Sequence, residues 1–217
     1  IGLSIFNSTS RTVFPLTDDY TMAARLLEHA DDLLRGVETQ DDIDKMSAQQ
    51  YQQVSDWLAG TQNRKNATSL IGDGLVSCAA MLPGFTYGGT QADQSRDASI
   101  VLATDNVVSG TQTYTLAQAL DLTSKAGITV DGLFSGPSQS DHDEATEQMR
   151  TLIEQHHGTF LLQSDGDSVA DLVRAIDRRQ ISAVDEASQA DWTDAPGWWT
   201  LAIAVLLAGW LIVAWRL

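Results

Sequence analysis

The sequence predicts an α/β fold: a doubly wound, mostly parallel sheet followed by one C-terminal transmembrane helix. Three observations carry this expectation. From residue 98 to 179, short apolar runs rich in β-branched residues alternate with amphipathic stretches, the pattern of a parallel sheet with crossover helices. One such run, Ser99 to Asn106, ends abruptly in Thr104 and Asp105. Open α/β sheets bind ligands at the carboxyl ends of their strands, so that ending marks a candidate site, although Asp and Asn after a strand also serve as turn and cap residues. Finally, residues 198–215 carry no charge across 18 positions.

The elements follow in order. Alternating Ile1, Leu3 and Ile5 suit a strand, and Arg11 to Leu16 suit its partner across the polar turn Asn7 to Ser10. Thr17 precedes a helix with Leu26, Leu27, Ala30, Leu33 and Leu34 on one face, Asp18 and Asp19 near its positive end, and Gly36 as its stop. Residues 37–66 are polar but hold Tyr51, Val54, Trp57 and Leu58 at helical spacing, which reads as a helical insertion. A helix is expected from Ile71 to Met81, stopped by Pro83 and Gly84, and then a polar loop to residue 97. Thereafter come strand 98–104, helix 115–126, strand 127–134, helix 141–157, strand 159–162 and helix 167–179. Residues 181–197 form a polar, acidic stalk.

The uncharged run 198–215 reaches roughly 27 Å as a helix at ~1.5 Å per residue, close to the ~30 Å hydrocarbon core of a bilayer. Trp198, Trp199 and Trp215 fall at its two ends, where indole rings favour the interface. Acidic residues precede the run and Arg216 follows it, which places the large domain outside the cytoplasm and the protein in the cell membrane.

Composition narrows the function classes. The 217 residues contain 13 basic and 29 acidic side chains, a formal charge of −16 that opposes phosphate binding and argues against a nucleic-acid partner. Cations and basic protein surfaces are the favoured counterparts. Cys78 is the single cysteine, cannot form an internal disulfide, and reads as a small core residue.

Three segments in register, Ile1–Phe6 with Arg11–Tyr20, Thr68–Leu75 and Ser99–Asn106, resemble a von Willebrand factor type A (VWA) domain over residues 1 to about 180. The resemblance is closest to bacterial membrane-anchored members found beside MoxR-type AAA+ ATPases. It implies a metal ion-dependent adhesion site in which hydroxyl and carboxylate oxygens hold Mg²⁺ or another divalent cation. Aligning Ile71-Gly72-Asp73 on the family's second loop puts Ser69 at the hydroxyl position, with Thr68 as the alternative, and Asp105 at the carboxylate position. Asn106 stands where many relatives have glycine. The family's Asp-x-Ser-x-Ser turn is absent from this chain, which begins at Ile1 without a methionine, so an N-terminally truncated domain lacking its first strand is expected. With two of five family ligands, Mg²⁺ binding by these 217 residues is expected to be weak or absent. The missing strand would lie between those beginning at Ile1 and Ser99, leaving two unpaired edges.

The implied function is a membrane-anchored extracytoplasmic interaction module that engages an acidic group on a partner protein through the cation. The alternative is a structural subunit of a membrane assembly, with other VWA membrane proteins or AAA+ ATPase-associated machinery as partners and metal-independent contacts. Nothing in the chain resembles a nucleophile elbow, a phosphate loop or a paired His and Cys, so no enzymatic role is expected. Asp73, near a helix start, reads as a capping or supporting carboxylate. His156 and His157 sit at a helix end and lack companions at zinc-ligand spacing. Asn7-Ser-Thr9 and Asn66-Ala-Thr68 fit the glycosylation sequon, a pattern common by chance.

Overall fold

The computed structural model describes residues 1–37, 40–64, 66–83, 85–87, 98–166, 169–179 and 206–207. The chain divides into two compact units, Ile1–Val173 and Arg174–Leu217. Unit one opens with the antiparallel hairpin β1 (Leu3–Phe6) and β2 (Ser10–Phe14). Helix α1 (Tyr20–Leu34) follows, and its N-cap Asp19 accepts from the Met22 N–H at 2.8 Å. The polar insertion folds into two helices, α2 (Gln40–Lys45) and α3 (Ala48–Leu58), the second started by a capping box between Ser47 and Gln50.

Helix α4 (Ile71–Ala79) leads towards strand β3 (Ala98–Thr104). Two crossovers complete the unit: α5 (Leu116–Lys125) into β4 (Ile128–Phe134), then a 3-10 turn at Ser138–Ser140 and α6 (Glu144–Gln155) into β5 (Phe160–Leu162). Thr115 and Gln118 cap α5 reciprocally. Residues 169–179 are helical. The segments therefore fall close to where their periodicity places them, and the strands β3, β4 and β5 pair in parallel.

The sheet itself corrects the expectation of one doubly wound sheet. The described strands form two separate sheets, the antiparallel pair β1–β2 and the parallel triple β3–β4–β5. Adjacent strands must lie about 4.8 Å apart to share a ladder, and no described strand links β1 to β3. Instead α4 packs against β1, β2 and β3 and joins the two sheets through side chains. A doubly wound sheet also buries both faces, whereas β3 alternates. Ile100, Leu102 and Thr104 are buried, but Ser99, Val101 and Ala103 are exposed, Val101 by 47%.

The expected membrane span and membrane localisation are corrected as well. No helix among the described residues is long and apolar enough to cross a membrane. A span takes ~20 apolar residues, and the longest described helix, α1, has 15 with a polar face. Residues 198–215, where the span was expected, lie outside the described residues apart from Leu206 and Leu207, as does the acidic stalk.

The core is built by α4, α5 and α6 against one face of the triple sheet. Phe134, Ile71, Leu75, Leu120, Met149 and Ile153 are its largest fully enclosed members. Two glycines permit this closeness: a Cβ on Gly132 would fall 2.3 Å from Ile153 Cδ1, and one on Gly72 would fall 2.0 Å from the Tyr114 carbonyl oxygen. The core thus fixes the register of β3 and the approach of α4, the two elements whose ends carry the candidate residues.

Candidate functional site

Ser69 and Asp105 lie on two loops that the backbone ties together. Thr68 and Ser109 exchange a pair of N–H to C=O bonds, 2.8 and 3.1 Å, as an isolated antiparallel bridge. Ser69 follows Thr68 directly, and Asp105 lies four residues before Ser109. A third segment joins them: Asn7, just past β1, accepts the Leu70 N–H on its carbonyl at 2.9 Å and the Ser69 N–H on its side-chain oxygen at 3.0 Å. The C-terminal end of β1, the loop before α4 and the loop after β3 therefore converge.

Local backbone geometry explains the polar residues here. Ser69 and Asn106 hold left-handed φ values of 49° and 56°. Asn tolerates that region better than most residues, which suits Asn106 to the turn that follows β3. Beside it the buried Thr104 hydroxyl accepts the Asn106 N–H at 3.1 Å, and Asp105 Oδ1 accepts the Val107 N–H at 3.2 Å. The Asn106 amide donates to the Ala145 carbonyl at 2.9 Å, pinning the turn to the start of α6. Asp105 remains exposed, Thr68 exposed and Ser69 half-buried.

These donors suit a hard divalent cation in kind but not in number. Mg²⁺ asks for about six oxygens in an octahedron, and the two loops offer a hydroxyl at Ser69 or Thr68 and a carboxylate at Asp105. Other oxygens nearby are already engaged, Asn7 Oδ1 by Ser69 and Thr104 Oγ1 by Asn106. Among the described residues there is no cluster of three or more His, Cys, Asp or Glu suited to a metal. The loops alone do not close a coordination shell.

The neighbouring carboxylate has a clear structural task. Asp73, in the first turn of α4, reaches across to the segment before α5. Its Oδ1 accepts from Thr113 and Tyr114 N–H at 2.9 and 2.8 Å, and its Oδ2 lies 3.1 Å from Thr113 N. Arg64 adds a longer contact at 3.5 Å. Asp73 thus supports a loop rather than capping its own helix. Asn7, the hub of the convergence, was visible in the sequence only as the start of a polar turn and of a sequon. Nothing local marks a residue that works by joining three distant segments.

The remaining candidates have structural explanations. Burial pushes the Cys78 thiol up, as befits a core residue with little thiolate character. His156 closes α6 and bridges to α5, its Nδ1 at 2.7 Å from the Leu152 carbonyl and its Nε2 at 3.0 Å from Asp121 Oδ1. His157 takes a φ of 65° and ends the helix.

No known protein family matches the chain, and neither a curated protein nor a solved structure shows significant similarity to it.

Proposed function

We propose that the chain belongs to a VWA-type protein-interaction module whose contact surface is the end where the 66–70 and 104–110 loops meet. The single observation that carries this reading is the Thr68–Ser109 pairing, which holds a hydroxyl-bearing loop against the exposed Asp105 turn. The left-handed Asn106 adds support, because it reproduces the backbone shape of a glycine at that position. The two-sheet arrangement departs from the family's single sheet, so the reading rests on the loops. Ser69, or Thr68, and Asp105 are the residues assigned to the divalent cation, with further oxygen ligands supplied from outside these two loops. When bound, such a cation offers a coordination position to an acidic group of a partner protein.

The test is paramagnetic broadening of amide signals by Mn²⁺, which registers weak binding as well as strong. Broadening is expected first at residues 68–70 and 104–109 and is lost in Asp105→Ala. With 29 acidic residues, a merely electrostatic response spreads over the whole surface instead. That outcome, or broadening that spares these loops, removes the cation site and leaves the metal-independent structural subunit as the better reading.

A further inference from the structure

A pocket of about 250 Å³ opens over the N-terminal half of α4, between the β1–β2 turn and the Thr113–Tyr114 segment. Leu70, Asp73 and Ser77 line it from one helical face, and Arg64, Tyr87 and Tyr114 complete its walls. Among the described residues lining it, Arg64 and Asp73 are the charged ones, and their formal charges cancel. Asp73 is already engaged by two backbone N–H groups. Arg64 meets it only at 3.5 Å, the outer limit of a hydrogen bond, and keeps most of its five donors for other acceptors.

The Arg64 backbone is itself held in place. Its N–H donates to the buried Ser8 hydroxyl at 3.1 Å, and that hydroxyl donates to the Thr61 carbonyl at 3.2 Å. Tyr87 is 63% exposed, yet its ring is braced edge-on by Phe85 with centroids 5.4 Å apart. The pocket therefore brings together an aromatic ring, a guanidinium on an anchored stretch of backbone, and several hydroxyls.

We infer that this pocket binds a single neutral sugar ring. A pyranose presents an apolar C–H face and a rim of hydroxyls that both donate and accept, which matches an exposed tyrosine, the Arg64 donors, and the Thr9 and Ser77 hydroxyls, whose protons go to the Gly60 and Asp73 carbonyls and whose lone pairs accept. The formal charge of −16 and the adjacent Asp73 disfavour a carboxylate in the same place. Size sets the limit of one ring, since 250 Å³ falls below the roughly 300–1,000 Å³ of pockets for drug-sized ligands.

The experiment is a titration of the isotopically labelled chain with glucose, galactose and mannose, each in parallel with acetate. A ligand of this size is expected to bind with a roughly millimolar dissociation constant. Saturable shifts at Arg64 and at residues 73–77 with at least one sugar, and none with acetate, support the assignment. Tyr87→Ala and Arg64→Ala are each expected to weaken binding about tenfold. Both side chains are substantially exposed, so the same spectra show that the fold persists. Unsaturable shifts, shifts away from the pocket, a response to acetate alone, or sugar binding indifferent to Tyr87→Ala each overturn the proposal.

Discussion

Gly72 and Asp73 show how two adjacent residues secure the approach of α4 to the loop before α5. The backbone at Gly72 passes so close to Tyr114 that a Cβ would sit 2.0 Å from a carbonyl oxygen, and neither side of that contact is a flexible side-chain end. Gly72→Ala is therefore expected to destabilise by at least the ~1–3 kcal/mol of an overpacked core site, read as a lower denaturant midpoint. Asp73→Ala removes the acceptor for the Thr113 and Tyr114 N–H groups. With hydrogen bonds to a charged group, the expected loss is about 2 kcal/mol. Asp105→Ala behaves differently: the residue is exposed and its recorded bond is a local turn, so its stability is expected to stay within ~0.5 kcal/mol of the parent. An Asp105 variant as damaged as the Asp73 variant would show that the turn is structural.

At the scale of elements, α5 and α6 are clipped together by Asp121 and His156. The imidazole meets an acceptor at each nitrogen, and both contacts as hydrogen bonds require two N–H groups, hence the cation. Partial burial pulls the His156 pKa down, but the Asp121 hydrogen bond, the Leu152 carbonyl and the Asp121 charge together raise it above its ordinary value. The hydrogen bond from His156 holds the Asp121 carboxyl below its ordinary value. The raised histidine contributes stability that is complete below its unfolded pKa of ~6.5 and disappears as pH climbs through the folded value. The lowered aspartate contributes above its unfolded pKa of ~3.9 and is lost as pH falls through its folded value. Stability from the clip thus peaks between the two ranges. His156→Gln is expected to flatten the decline in urea midpoint across roughly pH 6 to 8, and an unchanged slope would place the titrating group elsewhere.

For the whole molecule, the exposed face and open side of β3 are the main liability. The strand carries no charge or proline, pairs only with β4 among the described residues, and leaves Val101 exposed. Such an edge is a template for pairing with another chain. Val101→Lys is expected to reduce self-association measured by sedimentation velocity while leaving the denaturant midpoint nearly unchanged. Association that persists in this variant would move the contact away from β3.

How much of this was legible depends on the range over which each cause acts. Periodicity is local, so the hairpin, the helix start at residue 115 and the three parallel strands lie close to where the residue pattern puts them. The end of β3 at Thr104 and Asp105 was equally readable, because an apolar run stops there. Strand neighbours are not local: the same pattern suits one wound sheet or two sheets joined through α4, and only the tertiary structure shows two among the described residues. The 198–215 run, apart from Leu206 and Leu207, lies outside the described residues, so its hydropathy stands as a statement about composition alone. Sequence by itself determined the elements, the acidic charge and the candidate residues, through short-range sterics and composition. Only the tertiary structure decided that Asn7, Ser69 and the Asp105 turn converge and that Asp73 is spent on Thr113 and Tyr114, because those bonds span 40 to 62 residues of chain.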